Sequence, residues 1–505
     1  MRIVLCLFLI IGFVTVQCQG QVTRPNIIII LADDLGYGDP ECYNDKSLIP
    51  TPHINQLASQ GVKFNDAHSP ASVCTPTRYG LLTGRYCWRT NLKRSVLWPW
   101  DPPLIALDRV TLPEMLQQKG YATACIGKWH LGWDWPLQNG QYMSDLVSGV
   151  SLPANQRETW AQRIDFAMPT QGGPLDQGFQ HYFGDDVPNF PPYAFIKDRK
   201  TTRIPRVAKP VDMFGHAGPA VAAWDLSMVM PTITQQAVDF IDKQSSKTDP
   251  FFLFMPLTAP HTPIAPSPNF IGKSEAGWYG DFVHQVDWTV GQISQALQRN
   301  NLAEDTLLIF TSDNGSPQRN GKDMNGPTGS VKQTGHDPSR PWRGMKSDAW
   351  EGGHRVPFIA VWPGQIEANS ASDEPIILTD LMRTLASLLD FKLTQEMAED
   401  SFDIGPALFI KKTEQKQPTI RDHLIHHSGN GIFAIREGSW KLILGKSSGG
   451  FTQHRPPADA PAGQLYNLKA DPTESQNLYR QHPEIVRRLT DRLNQLKTSG
   501  RSYSQ

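Results

Sequence analysis

The 505-residue sequence predicts an α/β fold with a large, mostly parallel central sheet flanked by helices, followed by a smaller α+β part with an antiparallel sheet. Near-continuous apolar runs alternate with amphipathic stretches of helical period, the pattern of a parallel sheet covered on both faces. After about residue 390 the runs become short and turns separate them. A chain of this length also exceeds the size at which one core usually keeps growing, so we expect two units.

The order along the chain gives three expected segments: a signal peptide over 1–20, a large α/β domain over 21–390 and a C-terminal α+β subdomain over 391–505. The first segment, MRIVLCLFLIIGFVTVQCQG, has Arg2, an apolar run and a small, polar end, which is the plan of a secretory signal peptide. We therefore expect an exported protein, periplasmic or secreted, with no stable membrane span. A lipid anchor on Cys18 is the alternative, although the preceding residues form a poor lipidation signal.

Composition narrows the possible partners. Lys plus Arg number 48 and Asp plus Glu 49, for a formal net charge of −1, which argues against a nucleic-acid or polybasic membrane partner. Four cysteines follow the expected signal peptide, too few for a disulfide scaffold. One pair can form, and the sequence does not say which. The four are Cys42, Cys74, Cys87 and Cys125.

Four apolar runs predict buried strands that each end at polar residues. The runs and their ends are 26–39 at Asp33 and Asp34, 121–132 at Lys128 and His130, 250–263 at His261, and 305–316 at Asp313 and Asn314. Ligands of parallel sheets bind outside the carboxyl ends of the strands. The sequence therefore predicts that these polar side chains converge on one edge and form an active site.

The remaining elements follow from periodicity and turn signals. Helices are predicted over 51–61, 111–120, 232–244 and 284–300. In the C-terminal part we expect two strands around a Glu-Gly turn over 430–445, a strand and loop over 463–478 and a helix over 483–499. Two long segments without periodicity, 133–225 and 315–345, are rich in Pro, Gly and aromatic residues, so we interpret them as the rim of the site.

The pairs Asp33-Asp34 and Asp313-Asn314 are candidate metal ligands. Carboxylate and amide oxygens are hard ligands that suit Ca²⁺ or Mg²⁺, whereas Zn²⁺ prefers His and Cys. Either pair alone is explained as well by a turn that closes a strand. Both pairs at one sheet edge favour a metal, with Ca²⁺ ahead of Mg²⁺.

Lysine and histidine side chains add the charge and the proton transfer that such a site needs. Lys128 and Lys346 are candidates for stabilising an oxyanion, although lysines at a rim are usually solvated. His261 lies between prolines that fix its backbone. A structural histidine is the default there, and a general acid that protonates a leaving oxygen is the sharper hypothesis.

The stretch ASVCTPTRYGLLTGR, residues 71–85, places Cys74 ahead of a predicted short helix. Thr75 and Pro76 suggest an N-cap and a first-turn proline, which would favour the Cys74 thiolate through the helix dipole. A cysteine phosphatase is conceivable on that basis. Those enzymes separate the cysteine from the arginine by five residues, however, whereas Arg78 follows here after three.

The stretch CTPTRYGLLTGR resembles the signature of the type I, formylglycine-dependent sulfatases of the alkaline phosphatase-like superfamily, C-x-P-S/T-R followed by L-T-G-R. Further stretches resemble that family in the same order over roughly residues 24–365, with a compatible C-terminal module. They are PNIIIILADDLGYGD, GKWHLG, TAPHTP, SDNGS and GMKSDAWEGGHRVP.

The resemblance implies a role for each matching residue. Cys74, oxidised to formylglycine by a maturation enzyme and then hydrated, would attack sulfur, and the covalent hemisulfate would collapse by expelling sulfate. Asp33, Asp34, Asp313 and Asn314 would hold Ca²⁺ together with the modified Cys74. The remaining implied roles are Arg78 stabilising the hydrate and the metal-side carboxylates, Lys128 and Lys346 binding sulfate oxygens, His130 assisting hemisulfate breakdown and His261 protonating the departing alcohol.

The motifs do not distinguish an aryl sulfate from a sugar sulfate. Expected export, together with loops rich in aromatic and polar residues, favours a sulfated polysaccharide or glycosaminoglycan-type sugar. Candidate sugar contacts are His181, Asp185, Asp186, His336, Arg340 and His427. Two alternatives stay open, a formylglycine-dependent phosphonate or phosphate monoester hydrolase and a glycan-binding pseudo-sulfatase.

Overall fold

The computed structural model describes residues 24–147, 151–409 and 419–503. The expected signal peptide and Cys18 lie outside these residues. Within the described ranges, no helix is both long enough and apolar enough to cross a membrane.

The large sheet has ten strands in the order β13-β2-β12-β11-β1-β10-β4-β5-β6-β7, and a separate sheet has four in the order β15-β16-β17-β18. The strands are β1 (Asn26–Asp33), β2 (Val62–Phe64), β3 (Ala67–His68), β4 (Ala122–Ile126), β5 (His181–Gly184), β6 (Ile196–Lys197), β7 (Lys200–Thr201), β8 (Val207–Ala208), β9 (Pro219–Ala220), β10 (Phe251–Pro260), β11 (Thr306–Ser312), β12 (Phe358–Val361), β13 (Ser370–Ser372), β14 (Ile376–Ile377), β15 (Leu424–His427), β16 (Phe433–Glu437), β17 (Trp440–Ile443) and β18 (Gln464–Asn467). The two-stranded pairs β14-β3 and β8-β9 complete the strands of the described chain.

Ten α-helices accompany these strands in the described ranges. They are α1 (Pro52–Gln60), α2 (Cys74–Thr83), α3 (Leu112–Gln118), α4 (Arg157–Ala161), α5 (Val229–Gln244), α6 (Gly277–Arg299), α7 (Glu351–His354), α8 (Leu381–Leu388), α9 (Gly405–Leu408) and α10 (Pro483–Thr498). The four helices predicted in the large part correspond to α1, α3, α5 and α6. The predicted C-terminal hairpin, strand and helix correspond to β16 with β17, β18 and α10.

The centre of the large sheet is parallel, as the sequence predicted. The strands β11, β1, β10 and β4 are neighbours and run parallel to one another, and they are the four strands predicted to end at polar residues. Antiparallel pairing is confined to the flanks, where β12 pairs with β11 and with β2, and β6 pairs with β5 and with β7.

Both faces of the sheet are covered by helices, which explains the unbroken apolar run of β1. Ile27, Ile29 and Leu31 face a core that includes apolar side chains of α2, α3 and α8, while Ile28 and Ile30 face a core that includes those of α1, α5 and α6. Alternate residues of a strand point to opposite faces, so a sheet packed on both sides needs apolar residues at every position.

Buried ion pairs join the two sheets. We call them the junction cluster, formed by Asp66, His68, Glu351, His354, Arg355, Arg436, Lys441 and Glu474. Lys441 Nζ of β17 lies 2.9 Å from Glu351 Oε1 and 2.8 Å from Glu474 Oε1. Arg436 of β16 makes a bidentate pair with Asp66 at 2.8 and 2.9 Å. The expected domain boundary at residue 390 stays a prediction.

Candidate active site

The polar ends of the four central strands meet at one edge of the sheet. Asp33 ends β1, and Asp34 follows it with a positive φ of 67° that turns the chain at the strand end. Asp313 and Asn314 follow β11, and His261 follows β10. The Asp34 N–H donates to Asp313 Oδ1 at 3.2 Å, and Asn314 Nδ2 donates to Asp34 Oδ1 at 2.7 Å. The two pairs predicted as metal ligands are therefore in direct contact.

Lys128 reaches the same edge of the sheet because the residue before it, Gly127, lets the backbone pass close to β10. Gly127, just after β4, has a φ of 136°, and a Cβ there would lie 1.9 Å from the carbonyl oxygen of Pro256. The Lys128 N–H donates to that carbonyl at 2.7 Å, which fixes the residue beside β10. Its side chain is fully buried, with Nζ 2.6 Å from Asp33 Oδ2. Glycine is the residue that permits this close backbone approach.

Cys74 is the first residue of α2, and all ten residues of that helix are buried. Its Sγ lies 3.6 Å from Asp33 Oδ1 and 3.5 Å from Lys346 Nζ. The helix begins at Cys74, so its N-cap is Val73 and not Thr75, and the Thr75 hydroxyl donates to the His130 carbonyl at 3.1 Å. Burial raises the pKa of the Cys74 thiol, which opposes the stabilisation of a thiolate expected from the helix dipole.

Three cations balance the three carboxylates. Arg78 donates to Asp313 Oδ2 through Nε at 3.2 Å and through Nη2 at 2.9 Å. Lys346 Nζ lies 2.6 Å from Asp34 Oδ1. We call the whole group the strand-end cluster, composed of Asp33, Asp34, Cys74, Arg78, Lys128, Asp313, Asn314 and Lys346.

Burial and the surrounding charges shift the pKa values of the Asp33 and Asp313 carboxyl groups in opposite directions. Burial acts to raise the pKa of Asp33, but Lys128, His261 and Arg78 outweigh it and hold that pKa well below its usual value. Burial and the negative charge of Asp33 raise the pKa of Asp313 to about 7. A divalent cation placed among these oxygens would favour the ionised form of each of them.

The donor set fits a hard divalent cation. Asp33, Asp34, Cys74 and His261 offer atoms that all lie within 4.8 Å of one another. The side-chain oxygen of Asn314 is buried and has no hydrogen-bond partner among the described residues, which leaves it available as a ligand. Buried polar atoms are otherwise almost always satisfied. The predominance of oxygen over nitrogen and sulfur favours Ca²⁺ or Mg²⁺ over Zn²⁺.

Two histidines flank the cluster in defined tautomers. His130 Nε2 lies 2.9 Å from the Leu97 carbonyl and must donate to it, so Nδ1 carries the lone pair, and that atom has no partner in the described part of the chain. His261 Nδ1 donates to the Thr262 carbonyl at 2.5 Å, and its Nε2 lies 3.8 Å from Asp34 Oδ2. Burial and the charge of Lys128 lower the pKa of His261 to about 4 and that of His130 well below its usual value.

A cavity of about 360 Å³ opens above the cluster. Asp34, Cys74, His130, His261 and Lys346 line its floor. Its walls include an aromatic group that sequence reasoning missed, Trp98, Phe190 and His216, in which the Trp98 and Phe190 rings stack with centroids 5.8 Å apart. Polar wall residues that were also missed are Asn189, Arg319, Asn325 and Asn430. Both irregular segments predicted to form the rim contribute to these walls.

Residues 25–391 match the Sulfatase family, and residues 346–499 match the C-terminal region described for N-sulphoglucosamine sulphohydrolase. The chain belongs to the sulfatase family. It is accordingly a sulfuric ester hydrolase, as the Cys74 signature and its companion motifs predicted.

Curated relatives of this sulfatase cover nearly its whole length. It is 33% identical to an N-acetylgalactosamine-6-O-sulfatase of Bacteroides thetaiotaomicron, across 94% of this chain and 93% of the relative. It is 30% identical to human steryl-sulfatase, across 85% of this chain and 76% of the relative.

A solved structure from the metabolism of multiple glycosaminoglycans by Bacteroides thetaiotaomicron matches with a TM-score of 0.75 at 30% identity, across 94% of this chain and all of the other. A sulfatase from Pseudoalteromonas sp. matches with a TM-score of 0.70 at 25% identity, across 95% of this chain and 92% of the other. These matches support the α/β fold with its additional small antiparallel sheet.

The six side chains predicted to contact sugar are not among the described residues that line this cavity, and their role stays a prediction. Asp186 lies behind it, where Oδ1 accepts from the His130 N–H and from Trp133 Nε1, both at 3.1 Å. Asp185 is buried, and burial raises its pKa to about 7. His336 pairs with Asp39 at 2.8 Å. The other three are an exposed His181 on β5, an exposed Arg340, and a buried His427 two residues before the cavity residue Gly429.

The four cysteines that follow the expected signal peptide all have free thiols. Cys87 and Cys125 are buried in the core that also contains α2 and α3. None of the possible disulfide pairs that the sequence left open is formed among them.

Proposed function

We propose that this protein is an exported, calcium-dependent sulfatase that removes sulfate from a sulfated sugar after a maturation enzyme has converted Cys74 to formylglycine. One observation carries the proposal. Cys74 begins a fully buried helix, touches Asp33 and Lys346, and faces the floor of a cavity with aromatic and polar walls. The Sγ atom described here stands for the oxygen that the modified residue would carry.

Formylglycine and Ca²⁺ would each supply one kind of chemistry. Formylglycine would provide a hydrated aldehyde as the nucleophile, and Ca²⁺, held by Asp33, Asp34, Asp313 and Asn314, would supply positive charge to sulfate oxygens. The chain's own residues bind, orient and move protons around these groups.

Charge counting explains why the site would attract a sulfate ester. The strand-end cluster contains three aspartates and three cations, Arg78, Lys128 and Lys346, all of them buried. A divalent ion added to this balanced set leaves an excess of positive charge inside a low-dielectric site. An anionic sulfate group complements that excess, and Lys128 and Lys346 are within the cluster to receive its oxygens.

His130 is positioned to accept a proton beside residue 74. Its Nε2–H is committed to the Leu97 carbonyl, which leaves Nδ1 as a buried lone pair without a partner among the described residues, in a side chain that lines the cavity. The carboxylate of Asp186 holds the His130 backbone in place. A neutral imidazole in this tautomer can take the hydroxyl proton that must leave when the hemisulfate is expelled.

His261 is positioned to protonate the leaving oxygen. Its Nδ1 is committed to the Thr262 carbonyl, so Nε2 is the atom that exchanges protons with substrate. Lys128 contributes to the low pKa of His261, and a bound sulfate would act in the opposite sense by placing a negative charge nearby. Substrate binding would therefore charge the imidazole at the moment when an acid is needed.

The walls of the cavity offer both the apolar and the polar groups that a sulfated sugar needs. Aromatic faces such as Trp98 and Phe190 suit the apolar faces of sugar rings, and Asn189, Asn325 and Asn430 offer short polar groups to hydroxyls. The N-acetylgalactosamine-6-O-sulfatase relative supports the same choice. Steryl-sulfatase is nearly as similar in identity, so the experiment must include non-sugar esters.

The test has two parts. The mass of the tryptic peptide containing Cys74, from protein made with a formylglycine-generating enzyme, should show loss of the thiol and gain of an aldehyde. That protein should then release sulfate from one of a panel of sulfated monosaccharides faster than from aryl sulfate, steroid sulfate and aryl phosphate. A peptide that keeps its thiol while the protein is fully active, or a preference for aryl phosphate, would contradict the proposal.

A further inference from the structure

A strip of positive charge on the surface leads to the segment that forms one wall of the cavity. Residues 197–209, KDRKTTRIPRVAK, contain six basic residues and one acidic residue in a chain whose net charge is −1. The six are Lys197, Arg199, Lys200, Arg203, Arg206 and Lys209. We call this segment the basic strip. It runs from the turn between β6 and the edge strand β7, at the end of the large sheet away from the strand-end cluster, to β8.

Most of this charge is not used inside the protein. Arg199 pairs with Asp176, and the Lys209 ammonium donates to the Pro210 and Met213 carbonyls. The other four basic side chains, Lys197, Lys200, Arg203 and Arg206, are exposed, and within the described ranges they form no ion pair. Surface cations that neither pair nor pack contribute little to folding, so their concentration here points to something outside the chain.

The basic strip is joined directly to the cavity wall. β8 pairs with β9, with Ala208 opposite Pro219, and the connection between these strands carries the wall residues Phe214 and His216. The His216 N–H donates to the Asn189 carbonyl at 2.9 Å, and Asn189 lines the cavity as well. The Lys209 contact with the Met213 carbonyl ties the end of the strip to the same connection. A polymeric substrate that extends out of the cavity over this wall would contact the basic strip.

We propose that the basic strip binds the anionic sugars of a sulfated polysaccharide next to the sugar whose sulfate lies in the cavity. This inference rests on the proposed function. A cavity of about 360 Å³ is at the small end of ligand sites and holds a short piece of a polymer, so the rest of the chain must lie over the rim. A polymer with a sulfate or carboxylate on successive sugars complements a row of unpaired cations.

The apolar side chains in the strip favour a sugar chain over a simple ion. Ile204 and Val207, on either side of Arg206, are 39% and 44% exposed. A chain of sugars presents C–H faces as well as charges, and such faces can cover exposed aliphatic groups. The strip would thus act on the affinity for long substrates and leave the chemistry at Cys74 unchanged.

The test compares a short and a long substrate of the same sulfate group. Arg203→Ser combined with Arg206→Ser removes two exposed, unpaired cations, so the fold should be unaffected. The substrates are the sulfated monosaccharide that the panel identifies and a sulfated hexasaccharide ending in it. For the hexasaccharide we expect KM to rise at least about fivefold with kcat unchanged, and for the monosaccharide we expect both to stay within about twofold.

Salt dependence gives a second readout, because screening weakens interactions between exposed charges. The KM of the wild-type protein for the hexasaccharide should rise with added salt, and that of the double variant should rise less. The matched control is Lys243→Ser with Lys247→Ser, which removes two exposed cations at the end of α5, at the opposite edge of the sheet from the strand-end cluster. It should behave as the wild type on both substrates.

Three outcomes overturn the inference: unchanged kinetics of the double variant on the hexasaccharide, equal losses on both substrates, or equal losses in the control. Binding to immobilised heparin separates this inference from the proposed function. If no sulfated sugar is turned over, the proposed function fails, and earlier salt elution of the double variant than of the control would still support an anionic-polysaccharide surface. Identical elution of both variants would overturn that surface as well.

Discussion

The strand-end cluster and the junction cluster are both largely buried groups of carboxylates and cations, yet they differ in how their polar atoms are used. In the junction cluster Lys441 Nζ donates to His354 Nε2 at 3.1 Å, His354 Nδ1 meets His68 Nδ1 at 2.9 Å, and His68 Nε2 meets an oxygen of Asp66 at 2.7 Å. These contacts form one continuous chain of donors and acceptors that requires both imidazoles to be neutral. Burial lowers the pKa of both histidines, in agreement.

The strand-end cluster leaves atoms unused and faces open space. The Asn314 oxygen of the cluster and Nδ1 of the neighbouring His130 have no partner in the described chain, and Asp34, Cys74 and Lys346 of the cluster line the cavity together with His130. His68, Glu351 and His354 are also close enough together to hold a metal, but Lys441 already occupies the position between Glu351 and His354. Proximity of metal-binding side chains is therefore a weaker sign of function than unsatisfied atoms beside a cavity.

The largest expected effect is a loss of activity with little loss of stability when Cys74 is replaced. Cys74→Ala should lower sulfate release by at least about 10⁴-fold, because it removes the nucleophile. The free energy of unfolding should change by only about 1 kcal/mol, since the side chain makes two long contacts. Steady-state kinetics and chemical denaturation measure the two quantities. Substantial residual activity in this variant would place the nucleophile elsewhere.

The junction cluster should show the reverse behaviour. Lys441→Met leaves two buried carboxylates, Glu351 and Glu474, without their shared cation, and should destabilise the protein by about 3 to 5 kcal/mol. The kcat of the folded fraction should stay close to that of the wild type. Lys469→Met, at an exposed position after β18, is the matched control and should shift stability by no more than about 0.5 kcal/mol. A Lys441→Met variant that is stable but inactive would contradict a purely structural role of the junction cluster.

His261→Asn should affect activity in proportion to how poor the leaving group is. A sugar alcohol needs a proton to depart, so its sulfate ester should be turned over about 10² to 10⁴ times more slowly. A nitrophenyl sulfate, whose leaving group is stable as an anion, should lose far less. The ratio of kcat/KM values for the two esters measures the effect. An equal loss for both esters would assign His261 to binding rather than to protonation.

Metal removal should act on the strand-end cluster alone. Added Ca²⁺ at about 100 times its Kd should stabilise the wild type by about 2.7 kcal/mol, and a chelator should reverse this shift. Asn314→Leu removes the unpartnered oxygen and should weaken the calcium-dependent shift in Tm, whereas Lys469→Met should retain it. Equal calcium shifts in wild type and Asn314→Leu would show that the ion binds at another place.

The smallest expected effect is a pH dependence in the junction cluster. Burial and the charge of Glu351 raise the pKa of Glu474 from 4.5 to about 7 in the folded protein. The folded state therefore favours the protonated acid, and its contribution to stability is present below pH 4.5 and lost as the pH rises to about 7. Glu474→Gln cannot ionise, so its stability relative to wild type should rise across that window. Urea denaturation at several pH values measures this difference, and a difference that falls with pH would reverse the assignment.

The strand-end cluster was largely predictable because its signals are local. Asp33 and Asp313 lie 280 positions apart in the chain, but each follows its own apolar strand. Alternating strands and helices require a parallel sheet, and a parallel sheet brings those strand ends to one edge. The prediction therefore needed no knowledge of which side chains touch.

The junction cluster and the cavity walls had no such signal. Lys441 lies between Trp440 and Leu442 in β17, and alternation of polar and apolar residues is typical of a strand with one face in water. That face is in fact covered, and Lys441 is fully buried. His216 comes from the segment 133–225, which has no periodicity, and Trp98 lies between α2 and α3 outside both predicted rim segments, so their meeting depends on the paths of two loops. The sugar contacts predicted from the stretch that contains Asp185 did not include Asn189 and Phe190. These two residues lie a few positions further on and line the cavity.

The burial of α2 has a consequence for the order of events in the cell. Cys74 is 1% exposed, and the helix that it begins is enclosed on every side. An enzyme that reads residues 74–85 as a peptide needs them extended and accessible, which the finished fold does not allow. If formylglycine is the working residue, it has to be made while the chain is still emerging or unfolded, and a molecule that folds first keeps its thiol for the rest of its lifetime.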